Sequence, residues 1–93
     1  MKYGARPARL LPWTGSEGKP CYLLTDGDGP LSRIADAVET THLDMAEDLL
    51  EHAAALLADT RATPEQLRFL LHRMREALTD VHRVAESRGM RLG

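Results

Sequence analysis

Cysteine, aromatic residues and any excess of one charge are all scarce in this sequence of 93 residues. Cys21 is the only cysteine, which excludes an intramolecular disulfide framework and a cysteine-rich zinc site. Aromatic residues make up 4 % of the chain, so any core must be built from aliphatic side chains. Twelve Lys and Arg stand against 14 Asp and Glu, a formal charge of −2. That balance excludes a strongly basic nucleic-acid coat and an acidic tail. No apolar run approaches the roughly 18 residues that a membrane span needs. Residues 1–13 include basic side chains but no apolar h-region, so no secretory signal is expected. These absences predict a reduced, cytoplasmic protein that engages no membrane. Asparagine is missing, and Arg outnumbers Lys ten to two, which reads as base composition of the gene rather than function.

Apolar residues reach 43 %, enough to argue against disorder, yet twelve of them are alanines. The core is therefore thin. Composition changes near residue 30. Residues 1–30 hold four of the five prolines and five of the seven glycines, which block long helices. Beyond them Ala, Leu, Arg and Glu predominate, all good helix formers. The expected organisation is an N-terminal arm over 1–29, with a short β-hairpin around 10–24, and a helical hairpin over 30–93.

The first helix is predicted over about 31–59, with Asp28 or Ser32 as its cap and Pro30 in its first turn. At about 100° per residue, Leu31, Ile34, Ala35, Val38, His42, Met45, Leu49, Ala53 and Leu56 share one face. Asp36, Thr40, Asp44, Glu47 and Glu51 take the other. Beside the apolar face runs a second stripe, Leu43, Leu50 and Leu57, wider than one partner helix requires. After Thr60, Arg61 and Ala62, Thr63 and Gln66 form a capping box around Pro64. The second helix is predicted over 64–88, ending at Gly89. Its expected apolar face is Leu67, Leu70, Leu71, Met74, Ala77, Leu78, Val81 and Ala85, with Phe69 pointing away.

So short a loop makes the helices an antiparallel hairpin. The fold class is mainly α, with an extended arm lying on the helices through Trp13 and Tyr22. In that arm a four-residue loop sets Leu11 opposite Tyr22 and Leu10 opposite Leu23. Residues 31–59 carry one Arg against seven acids, and residues 60–93 seven Arg against four acids, so the two helices differ in charge sign. Small domains of this kind often need a second copy to close a core. A homodimeric four-helix bundle is expected, with Leu43, Leu50 and Leu57 at the interface. The competing expectation is that the arm covers this stripe.

Several motifs are better explained by turns. Leu11-Pro12-Trp13-Thr14-Gly15 matches a sortase signal in letters but precedes no apolar span. Gly15 to Pro20 lacks the spacing of a phosphate loop, and Asp26 to Gly29 lacks the acids of a calcium loop. Glu39 and His42 have the Glu-x-x-His spacing of di-iron bundles, but no further carboxylate faces inward on the second helix. No metal or other cofactor is expected, and Glu39 and His42 are kept as metal or small-ligand candidates. His42 is otherwise a core histidine satisfied by a carbonyl or Glu39. His42, His52 and His82 together would make a pH switch only if buried as a group. Arg61, Arg68 and Arg75 form a stripe that either tracks phosphates or pairs with the acids of the first helix, within or across protomers; the acidic net charge weighs against nucleic acid. No catalytic signature is present.

The runs Leu11-Pro12-Trp13-Thr14 and Gly18-Lys19-Pro20-Cys21-Tyr22-Leu23 resemble a group of small proteins from streptomycete-type actinobacteria. Ser32 to Asp36 and Arg83 to Gly89 fit the same group, so the resemblance covers most of the chain from Leu11 onward. It implies an intracellular bacterial protein and brings no activity, cofactor or site residue with it. The functional expectation is a non-enzymatic helical interaction or regulatory module that binds itself and a further protein. Trp13, Tyr22 and Phe69 are the candidate contacts for that partner.

Overall fold

The computed structural model describes residues 8–24, Gly27 and residues 29–92. Two strands precede two long helices: β1 (Ala8–Thr14), β2 (Pro20–Leu24), α1 (Pro30–Ala58) and α2 (Pro64–Leu92). The strands pair antiparallel around a single 3-10 turn, and the helices form an antiparallel hairpin. The protein is mainly helical, as its composition predicts.

Helix boundaries follow from local chemistry. Gly29, not Ser32, is the N-cap of α1, and Pro30 takes the first turn, where its missing N–H costs no bond. Ser32 is instead inside the helix and wholly buried. The alternative cap, Asp28, lies outside the described residues. At the far end the Asp59 N–H donates to the Leu56 carbonyl (3.2 Å), and the Arg61 N–H donates to Asp59 Oδ1 (2.9 Å). The chain is thereby turned within four residues. The capping box closes α2: the Gln66 N–H donates to Thr63 Oγ1 (3.1 Å), and the Thr63 N–H donates to Gln66 Oε1 (2.9 Å). At its other end α2 runs through Gly89 to Leu92 instead of stopping at residue 88. A glycine stops a helix only when it adopts a left-handed conformation, and Gly89 does not.

The β-hairpin register differs from the expected one. Leu10 pairs with Tyr22 and Arg9 with Leu23, while Thr14 pairs with Pro20, so a bulge lies between Leu10 and Thr14. The cause is burial. Four consecutive residues of β1, Arg9 to Pro12, are buried, which simple alternation across a pleated strand cannot achieve. Between the strands Glu17 (φ 57°) and Gly18 (φ 73°) both enter the left-handed region. Tyr22 is 56 % exposed and does not anchor the arm; Trp13 is half-buried. Leu10, Leu11 and Pro12 do the anchoring, and β1 touches both helices.

The helices meet along a narrow seam of small and medium side chains: Ala35, Ala46 and Ala53 on α1, and Leu70, Ala77 and Val84 on α2. Such a seam allows close approach but covers little surface. Much of the predicted α2 face, including Leu67, Leu71, Leu78 and Ala85, is exposed, and Val84 and Ser87 are buried in its place. One helix covers only a stripe of its neighbour, so a wide apolar arc stays partly open. The result is elongated, 63 × 25 × 23 Å. Its radius of gyration is 17.1 Å, against about 12 Å for a compact domain of this length.

Candidate functional site

An open, leucine-lined groove runs along one side of the helical hairpin. Leu50 (62 % exposed) lines its α1 bank and Leu78 (69 % exposed) its α2 bank, over a floor of Ala46, Met74 and Ala77. Its volume is about 160 Å³. Leu43 and Leu57 extend the α1 bank at intervals of seven residues, and Leu71 extends the α2 bank. Leu43 is half-buried, while Leu57 is 83 % exposed. Among the described residues the arm does not cover Leu50 or Leu57. Arg9 of β1 reaches Ser32, Asp36 and Glu39, and Asp36 occupies the stripe position seven residues before Leu43. Toward the loop from there, Leu50 and Leu57 stay open.

Glu39 and His42 face different neighbours. The Glu39 carboxylate lies 3.3 Å from the Arg9 guanidinium and 3.8 Å from Arg88. His42 turns toward α2, where its Nε2 lies 3.8 Å from Asp80 Oδ2. Its Nδ1 is buried without a hydrogen-bond partner, so neither a carbonyl nor Glu39 satisfies it as expected. Among the described residues no group of three or more His, Cys, Asp or Glu side chains is placed to hold a metal. His42 and Asp80 border a second cavity of about 210 Å³, with Met45 and Arg73. His52 and His82 are both exposed, and His82 lies 3.3 Å from Glu86 on its own helix, so the three histidines do not gather.

The most deeply buried polar cluster was not foreseen in the sequence. Arg9 is 4 % exposed and Glu39 2 %. Arg9 Nη1 donates to the Ser32 carbonyl (3.1 Å), and Nη2 donates to Asp36 Oδ1 (2.6 Å). On the α2 side Arg83 Nη1 donates to the Pro12 carbonyl (3.5 Å). These contacts pin β1 to both helices. A signal was present: Arg9 interrupts an apolar strand, and Glu39 flanks an apolar helix face. Only the fold shows that these two oddities meet.

Of the arginine stripe, Arg61 alone meets an acid of the 31–59 segment among the described residues, and that acid is Asp59 at the C-cap of α1 (3.4 Å). Arg68 and Arg75 are exposed and lie beside Leu71 and His72, and neither makes an ion pair among the described residues. Phe69 is 65 % exposed near the loop. Trp13 lies at the open end, beside Pro12, whose carbonyl meets Arg83. Fourteen residues of α2 separate Phe69 from Arg83, about 20 Å of helix, so Trp13 and Phe69 do not form one surface. Cys21 is half-buried and free, packed close to Gly15. Among the described residues no helix is long and apolar enough to cross a membrane. Comparison with known protein families, curated proteins and solved structures finds no match.

Proposed function

We propose that this chain is a non-enzymatic helical interaction module that pairs with a second copy of itself through the leucine groove. The observation that carries the reading is the groove itself. Leu50, Leu57, Leu71 and Leu78 are each more than 60 % exposed on one elongated helical hairpin. Isolated exposed leucines are ordinary, but a continuous row on both banks of one groove is the mark of an association surface. The thin interhelical seam adds a physical reason. A second hairpin laid on the groove completes a four-helix core that two helices cannot close.

Native mass spectrometry with sedimentation velocity tests this directly. The expected species is a dimer without added mass. Leu50→Glu and Leu78→Glu are each expected to give a monomer with unchanged helical circular dichroism. A wild-type monomer at every concentration overturns the reading. A dimer insensitive to both substitutions overturns the groove as its interface.

A further inference from the structure

The two banks of the groove carry one pattern with opposite charge. On α1 the pattern is Leu43, Glu47, Leu50; on α2 it is Leu71, Arg75, Leu78. In each, the charged residue follows one leucine by four and precedes the next by three, so it sits on the flank of the leucines. The seam residues Ala46 and Ala77 lie on the opposite flank, which places Glu47 and Arg75 on the outer rims. Both are exposed, and neither has an ion-pair partner within the protomer among the described residues. Arg68 repeats the rim position one heptad before Arg75.

The rims are also level. The contact between His42 and Asp80 (3.8 Å) sets the register of the antiparallel helices. Five residues onward along α1 is Glu47, and five residues back along α2 is Arg75. Equal rise per residue brings them to the same height.

A second hairpin can close face to face on the groove with its two-fold axis along the helices or across them. With the axis across the helices, α1 lies on the partner's α1, setting acidic rim against acidic rim and basic against basic. With the axis along the helices, α1 lies on the partner's α2, and height along the bundle is preserved. Glu47 then meets the partner's Arg75 on both sides of the dimer. Residues 31–59 and 60–93 carry opposite net charge, so the wider field favours the same arrangement. We infer that the dimer is parallel, with its two-fold axis along the helices, Glu47 opposite the partner's Arg75, and both β-hairpin arms at one end. This rests on the self-pairing proposed above and specifies its geometry.

Spin-label distance measurement on the full chain tests it, with a label at Arg33→Cys in a Cys21→Ser background. Arg33 is exposed and lies 17 residues from Leu50, about 25 Å along α1. The parallel dimer is expected to give one distance below about 35 Å, set by the width of a four-helix bundle. The crossed arrangement gives about 50 Å or more along the axis. Charge reversal supplies a second readout. Glu47→Arg and Arg75→Glu are each expected to weaken the dimer about tenfold, and the double variant to restore it. Rising salt is expected to weaken the wild-type dimer. A dimer with the long distance, or one that single reversals leave unchanged, overturns the parallel arrangement and leaves the self-pairing standing. A monomer overturns both.

Discussion

The Arg9 guanidinium lies 3.3 Å from the Glu39 carboxylate, and both side chains are almost wholly buried. This pair ties the first strand to the first long helix. It also holds a strand that contains a proline against the helical hairpin. Two charges withdrawn from water stabilise a fold little by themselves, but removing one takes away the nearest compensation of the other. Arg9 therefore acts as a lock whose loss is expensive.

Arg9→Ala is expected to destabilise the protein by about 3–5 kcal/mol, because it removes the nearest cation from the buried Glu39 carboxylate together with the bonds to Ser32 and Asp36. Replacing both, as Arg9→Met with Glu39→Leu, is expected to cost much less. Urea denaturation followed by circular dichroism measures the difference. A loss below about 1 kcal/mol for Arg9→Ala would contradict the lock.

Gly89→Ala should stabilise α2 by up to about 1 kcal/mol, since Gly89 is helical and nothing lies within 4 Å of a Cβ placed there. Had the helix ended at this glycine in a left-handed turn, the same change would destabilise. The sign of the shift in Tm therefore reports where the helix stops.

At the start of α2, Thr63→Ala removes the hydroxyl that accepts from the Gln66 N–H (3.1 Å). A loss of about 1 kcal/mol is expected, and Thr63→Ser should recover most of it. Thermal melts of the three proteins decide the point; equal Tm values would mean that the cap contributes nothing.

Gly18 holds φ 73°, a region that costs side-chain-bearing residues about 1–2 kcal/mol. Gly18→Ala should lower stability by about 1 kcal/mol while leaving α1 and α2 helical. A loss of protection in β1 and β2 amides, measured by hydrogen exchange, would locate the effect in the β-hairpin.

The elements themselves were legible because their signals are local. Helical periodicity over 29 residues, Pro30 and Pro64 at the helix starts, and the Thr63 and Gln66 box depend on neighbours within a few positions. The exposed stripe at Leu50 and Leu57 was legible as well, because spacing by seven puts those leucines in a row wherever the helix lies. Missed were the register of the β-hairpin, the burial of Val84 and Ser87, and the pairing of Arg9 with Glu39. Each of these depends on which element packs against which, and periodicity carries no such information. Tyr22 shows the error in small: an aromatic ring in a strand looks like an anchor, yet β2 is the outer strand and the ring faces water.

Residue order therefore dictates two long amphipathic helices, the short turn between them, their opposite charges and a surplus of leucine on one flank. Propensity, capping and spacing act within a few residues, and no folded context is needed to apply them. Packing chose which apolar face became the seam, buried a charged pair beneath the arm, and left the leucine groove open beyond it. Those outcomes follow from volume and distance between parts remote in sequence. One strand placed on two helices covers their open end and reaches no further, so Leu50 and Leu57 remain exposed.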